Sequence, residues 1–345
     1  MNKLYFGDNL EWLPQLPSES VGLIYLDPPF NSKATYNLLY KSPDGRAAQA
    51  QHQAFVDSWR WGPSTDLAFA IVMNSGSPAA GIISSLQNFM HKSDLMAYLT
   101  MMAARLLELH RILKSGGSIY LHCDSSASHY LKILMDSIFG SGAFLNEIIW
   151  KRSHAHSDGK QGSRHFGRVT DTILFYAKGK PETWNKQYQP YDQAYIDRDY
   201  RRVDEDGRKY RIDNLQGPGG AQKGNPYYEV MGVSRYWRYS KEKMEELIRQ
   251  GRVIQTRPGT VPQYKRYLDE MPGVPLQNLW ADLPVLSNRS KESLGYQTQK
   301  PLALLERIIS ASSDPGDTIL DPFCGCGTAI EAAEKLGRNW IGIDI

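Results

Sequence analysis

The stretch Val21-Gly22-Leu23-Ile24-Tyr25-Leu26-Asp27-Pro28-Pro29-Phe30 decides the reading of this chain. Its first six residues form a nearly continuous apolar run, the pattern of a parallel strand buried on both faces. The two prolines end that strand, because neither can donate a ladder hydrogen bond. Asp27 therefore stands at a strand's carboxyl end, where open α/β sheets bind ligands. A carboxylate, rigid backbone carbonyls and an aromatic face meet there, a set that suits a planar ring carrying an amino group. Asp27 accepts one N–H, the Pro28 carbonyl accepts the other, and Phe30 stacks on the ring. Holding both hydrogens favours a pyramidal nitrogen whose lone pair is no longer delocalised into the ring. On the tetrapeptide alone a plain strand with a Pro-Pro turn is the better explanation, so the chemistry needs a second signal.

That signal lies far along the chain. Thr318-Ile319-Leu320-Asp321 reads as another strand, Pro322-Phe323-Cys324-Gly325-Cys326-Gly327 as a Gly-rich turn, and Thr328 as the start of a helix. Gly325 and Gly327 stand where a ligand approaches the backbone and positive φ is needed. Asp344 ends the following strand, Asn339 to Asp344, and an acidic side chain there can grip two ribose hydroxyls. A dinucleotide fingerprint requires Gly or Ala where this chain has Ile330, and no GxxxxGK(S/T) phosphate loop occurs.

Taken together, DPPF at 27–30 and FCGCG at 323–327 resemble the (D/N/S)PP(Y/F/W) and FxGxG signatures of amino methyltransferases. The acceptor motif precedes the cofactor motif, an order similar to the permuted β class of DNA amino methyltransferases. The resemblance implies a Rossmann-like fold with an inserted target-recognition region and S-adenosyl-L-methionine as cofactor. Asp27, Pro28, Pro29 and Phe30 would form the acceptor site. Asp321, Phe323, Gly325, Gly327 and Thr328 would form the turn at the methionine portion, with Asp344 on the ribose. Lys300, in a TQKP stretch similar to the family's, would lie near the cofactor carboxylate, and Asp8 would reach the adenine side. The substrate implied is DNA, double-stranded with the target base flipped out, and adenine N6 is preferred because the acceptor motif begins with Asp. Cytosine N4, RNA or single strands, a protein glutamine amide, and a non-catalytic nucleic-acid-binding subunit are the rival readings. A homodimer or a restriction-modification partner is compatible with the class. Members of that class continue past the Asp344 strand with a covering helix. An end at Ile345 therefore reads as a truncation that leaves an exposed apolar sheet edge.

The remaining sequence fits an α/β, doubly wound, mostly parallel sheet. Helices are expected at Leu10 to Leu16, Asp94 to Leu113 (closed by Gly116-Gly117), Tyr130 to Phe139, Leu302 to Ala311 and Thr328 to Leu336. Further strands are expected at Leu4 to Phe6, Ser118 to Cys123, Asn146 to Trp150 and Asp171 to Ala177. Residues 31–93 read as a functional loop or lid, with Phe55, Trp59 and Trp61 mainly anchoring it. Residues 1–179 would be the acceptor half, 180–290 a target-recognition insert with one helix at Lys241 to Arg249, and 291–345 the cofactor half.

Charge supports that division. Residues 151–270 hold 24 Lys and Arg against 16 Asp and Glu, although the whole chain is only +3. Basic residues interleaved with tyrosines and tryptophans suit phosphate contact and base stacking. Cys324 and Cys326 form a lone CxC read as small turn residues, and Cys123 makes the count odd, against a disulfide framework. His154, His156, His165, Arg152 and Arg164 read as phosphate contacts or solvated groups, since HxH has no third metal ligand nearby. The absence of a membrane-length apolar run or signal pattern suggests a cytoplasmic enzyme.

Overall fold

The structure is a computed structural model that describes residues 2–29, 59–153, 164, 166–286, 290–296 and 298–345, and the backbone alone of 35–38 and 52–56. Phe30, His154, His156 and His165 lie outside the described residues. The chain divides into two compact units, 1–187 with 277–345, and 188–276.

The first unit is built on an eight-stranded sheet. In chain order its strands are β1 (Lys3–Phe6), β2 (Val21–Leu26), β3 (Leu113–Cys123), β4 (Phe144–Lys151), β5 (Thr170–Ala177), β6 (Leu279–Trp280), β7 (Thr318–Asp321) and β8 (Asn339–Asp344). Across the sheet they run β1-β8-β7-β2-β3-β5-β4-β6. Only β5 is antiparallel to its neighbours, so the sheet is mostly parallel, as the strand-helix alternation predicts. β2 and β7 pair directly, Leu23 with Ile319 and Ile24 with Leu320. Their shared direction brings Asp27 and Asp321, 294 positions apart in sequence, to the same end of the sheet.

Residues alternate between the two faces of each strand. Ile24, Leu26, Ile119, Leu121 and Cys123 enter a core with the helices Pro63–Asn74, Pro78–Met90, Asp94–Ile112 and Ser128–Phe139. Met96, Met101 and Met102 fill that core. Tyr25, Tyr120 and His122 point to the other face, where Tyr120 Oη bonds Ser312 Oγ at 2.6 Å, at the end of helix Leu302–Ser312. Both faces are thus covered, as an apolar parallel sheet requires.

Three expectations are corrected. Residues 63–90, read as part of a loop, form the helices Pro63–Asn74 and Pro78–Met90. Their inward residues are few and mostly small (Ala68, Val72, Ala79, Ile83), so no apolar stripe marks them in the sequence. Proline at each helix start and the Ser77 cap were the legible signals. Second, helix Asp94–Ile112 is not closed by Gly116-Gly117, because the chain passes at Leu113 straight into β3. Gly117 serves strand approach instead: a Cβ there would come within 2.8 Å of the Gly22 carbonyl oxygen. Third, β8 is not the sheet edge. β1 pairs outside it and leaves Leu4 and Phe6 largely exposed.

The second unit holds a four-stranded antiparallel sheet centred on Lys209–Asn214 and Gln263–Tyr267, with Arg202–Val203 and Val253–Ile254 outside. The helix Lys241–Arg249 packs Met244 and Leu247 against buried Trp237. Tyr227–Val230 and Val233–Tyr236 form a hairpin whose two-residue turn, Met231-Gly232, has both φ positive. Much of the basic charge is paired locally: Arg208 with Asp269 and Glu270, Arg252 with Glu270, and Lys265 with Asp204. Leu279–Trp280, inside the stretch read as insert, belongs to the main sheet. No helix among the described residues is long and apolar enough to cross a membrane.

Candidate active site

A cleft of about 680 Å³ opens at the carboxyl ends of β2, β7 and β8. Asp27, Pro28 and Pro29 line it together with Asp321, Phe323, Gly325, Thr328, Asp344, Lys300 and Asp8. Both sequence motifs therefore face one cavity, and Gly327 lies in the same turn as the helix cap. The sheet order explains this convergence, since β2 and β7 are neighbours and β8 flanks β7.

The turn after β7 is built from its own polar groups. Asp321 is buried, and its Oδ1 accepts the Phe323 N–H at 3.0 Å. Gly325 and Gly327 adopt φ of +51° and +86°, the left-handed region that a side chain disfavours. Asp344 Oδ2 accepts the Gly325 N–H, and Oδ1 accepts the Ile345 N–H at 2.9 Å. Each oxygen keeps a further lone pair for a hydroxyl donor. The Thr328 N-terminus of helix Thr328–Lys335 also faces the cleft. Cys324 and Cys326 are free thiols in this turn, in keeping with small turn residues.

The acceptor side is held by contacts the sequence does not announce. Lys300 Nζ donates to Asp27 Oδ2 in a largely buried ion pair. Trp59 Nε1 donates to the Pro29 carbonyl at 3.3 Å, and its ring tilts against Tyr98, so it anchors and lines the cleft at once. Trp61 anchors only, donating to Asp66 at 2.7 Å and packing on Phe69. Asp8 caps the short helix Asn9–Trp12 through the Leu10 N–H and accepts from Arg105 at 2.7 Å. Arg105 is buried and also donates to the Met101 carbonyl and the Asn9 side chain. Asn9 in turn donates to the Pro322 carbonyl at 2.6 Å, tying the first strand's end to the Gly-rich turn. The sequence signal for Arg105 was a charge on the apolar face between Met102 and Leu106. Tyr296 had no such signal, yet a Cβ on Gly325 would approach its ring to 3.4 Å.

Arg152 Nε lies 3.2 Å from Asp171 Oδ1, with the side chain 40% exposed. Arg164 is exposed.

Burial pushes the Asp321 carboxyl well above the usual carboxylate range; the Phe323 N–H opposes this, and the charges of Asp27 and Asp344 add to it. Burial raises Asp344 as well, against the Gly325 and Ile345 N–H groups. An acid with a raised folded pKa binds more protons folded than unfolded. Its stabilisation is full below the unfolded value and is lost as pH rises through the folded value. Asp321→Asn keeps an acceptor for Phe323 and removes the titration. Its melting temperature should therefore gain on wild type as pH rises from acid toward neutral. A difference that does not change with pH would contradict this.

Residues 21–345 match the N6/N4 DNA methylase family, and the chain belongs to it. Type II methyltransferase M.EcaI of Enterobacter cloacae is 32% identical over 72% of this chain and 54% of its own length. The Mod subunit of the type III restriction-modification enzyme StyLTI of Salmonella typhimurium is 27% identical over 98% of this chain and 50% of its own length. DNA adenine methyltransferase YhdJ of Escherichia coli is 24% identical over 98% of this chain and 76% of its own length. The chain spans about half the length of the first two relatives.

Proposed function

We propose that the chain transfers a methyl group from S-adenosyl-L-methionine to the exocyclic amine of a DNA base, adenine N6 in preference to cytosine N4. The observation that carries this reading is one cleft lined by both the Asp27-Pro28-Pro29 strand end and the Gly325 turn. The residues present suit the cofactor. Two glycines with positive φ and a helix N-terminus form a cradle, and the Asp344 carboxylate lies beside it. Phe323, Gly325, Gly327 and Thr328 would hold the methionine portion, Asp344 the ribose hydroxyls, Asp8 the adenine side and Lys300 the carboxylate. Bound there, the cofactor supplies a methyl group on a positively charged sulfur.

The chain's own part is to hold the amine. Asp27 accepts one of its hydrogens and the Pro28 carbonyl the other, so the nitrogen lone pair leaves conjugation with the ring. Phe30 would stack on the base. Lys300 holds Asp27 Oδ2, which leaves Oδ1 to accept the amine. In a duplex the base reaches this depth by flipping out of the stack. The Asp that opens the acceptor motif favours adenine, and the relative YhdJ carries adenine in its name. The unit 188–276, with its basic and aromatic residues, would contact DNA, where a restriction-linked or dimeric setting is also proposed.

Methyl incorporation compared across duplex DNA, single-stranded DNA and RNA tests the substrate class. Duplex DNA is expected to be methylated fastest. Preferential methylation of RNA would overturn the DNA reading.

A further inference from the structure

Behind the acceptor carboxylate lies a buried polar chain that the reaction above does not use. Tyr25 and Asp27 share one face of β2, and His122 lies beside them on the neighbouring β3. The His122 ring is fully buried. Its Nδ1 is 3.1 Å from Tyr25 Oη and 4.0 Å from Asp27 Oδ1, while its Nε2 is 3.3 Å from Asp171 Oδ2. Trp150 and Tyr25 meet the ring edge-on, at interplanar angles of 88° and 80°, which fixes its plane. Arg152 Nε sits 3.2 Å from the other Asp171 oxygen.

The chain has a direction. Burial alone would raise the Asp171 carboxyl. The hydrogen bond of His122, with Arg152 and Lys300 beyond it, outweighs burial and leaves it below the usual carboxylate range. Asp171 is thus an anion and accepts only, so Nε2 must carry a hydrogen. With one hydrogen on the ring, Nδ1 then bears a lone pair. Tyr25, whose phenol burial and the nearby Asp27, Asp321 and Asp171 charges keep protonated, donates to that lone pair. The opposite tautomer would present an N–H to Tyr25 Oη at 3.1 Å, with Asp27 Oδ1 next at 4.0 Å. A small turn of the Asp27 carboxylate would bring Oδ1 onto that N–H and away from the cleft. Lys300 already holds Oδ2, so Oδ1 is the oxygen at stake.

We propose that Asp171 holds His122 in its Nε2–H form, and that His122 is thereby a positioning residue that keeps the Asp27 carboxylate turned toward the cleft. The inference rests on the methyl-transfer reading for its catalytic consequence but not for its tautomer. Asp171→Asn is the informative change. The positive charge of Arg152, its Nε 3.2 Å from Oδ1, favours the amide oxygen on that side, so the amide nitrogen faces His122 Nε2 and places the hydrogen on Nδ1.

Nitrogen-15 NMR of histidine-labelled protein should show Nε2 protonated and Nδ1 bare for His122 in wild type, and the reverse in Asp171→Asn. Single-turnover methyl transfer in Asp171→Asn should fall by about tenfold or more, the rate equivalent of one misdirected hydrogen bond, with cofactor affinity unchanged. Adding His122→Phe keeps an aromatic ring against Trp150 but removes the misdirected donor, so the double variant should recover most of that loss. A purely structural role predicts a double variant at least as impaired as the single one, and that result would overturn the proposal. So would a wild-type spectrum with Nδ1 protonated, which decides the matter even where a variant fails to fold. Wild-type protein that transfers no methyl group while showing the Nε2–H form would count against the functional reading alone.

Discussion

Replacing Asp27 with alanine should lower the single-turnover rate of methyl transfer by about 10²–10³-fold, the loss typical of removing one preorganised group aimed at a reacting centre. Asp27 ends β2, lines the cleft, and carries one oxygen toward Lys300 and the other toward His122. Without it the amine keeps at most one of its two acceptors, and its lone pair stays conjugated with the ring. Cofactor affinity should change far less, because the Gly325 turn and Asp344 do not depend on this carboxylate. Asp27→Asn separates shape from charge: it retains one oxygen acceptor but adds an N–H donor that repels the amine hydrogens. Rapid-quench measurement of the rate, with calorimetry for cofactor binding, checks both parts. A large loss of cofactor affinity with an unchanged rate would move Asp27 out of the acceptor site.

The second large effect is expected at Lys300. Lys300→Met should weaken cofactor binding by about 10- to 100-fold, which corresponds to losing one charged hydrogen bond of about 1.5–3 kcal/mol. The same ammonium pairs with Asp27, both side chains being mostly buried. Its proposed reach to the cofactor carboxylate would loosen its hold on Asp27, so one lysine would link the two halves of the site. The variant should therefore also lose the dependence of target-base binding on bound cofactor. Calorimetric titration of cofactor and fluorescence titration of DNA, each with and without the other ligand, measure this coupling. Unchanged affinity together with unchanged coupling would leave Lys300 as a simple counter-ion.

Much of this site was legible because its parts are local. A buried run followed by two prolines, and a strand followed by alternating glycines, each mark a strand's carboxyl end without reference to the rest of the chain. The helix at Asp94 was readable from its periodic leucines, and its observed Asp94–Ile112 span differs by one residue at the end. What escaped depended on distance or on small side chains. The helices Pro63–Asn74 and Pro78–Met90 bury alanine and valine more than leucine, and their patterning is faint. Lys300 on Asp27, Arg105 on Asp8 and Asn9, and Asp171 on His122 join residues 49 to 273 positions apart. No spacing within a strand or helix reveals such pairs. The boundary of the second unit, 188–276 and not 180–290, was blurred for a related reason: Leu279–Trp280 is a two-residue strand that belongs to the main sheet only through its neighbour Phe144–Lys151.

The most direct test of the account is to incubate the purified chain with duplex DNA and methyl-labelled S-adenosyl-L-methionine, digest the DNA, and identify the labelled nucleoside by mass. The account predicts label on N6-methyldeoxyadenosine, present with wild type and reduced to trace with Asp27→Ala. Label on protein alone, or equal label on DNA with Asp27→Ala, would contradict it.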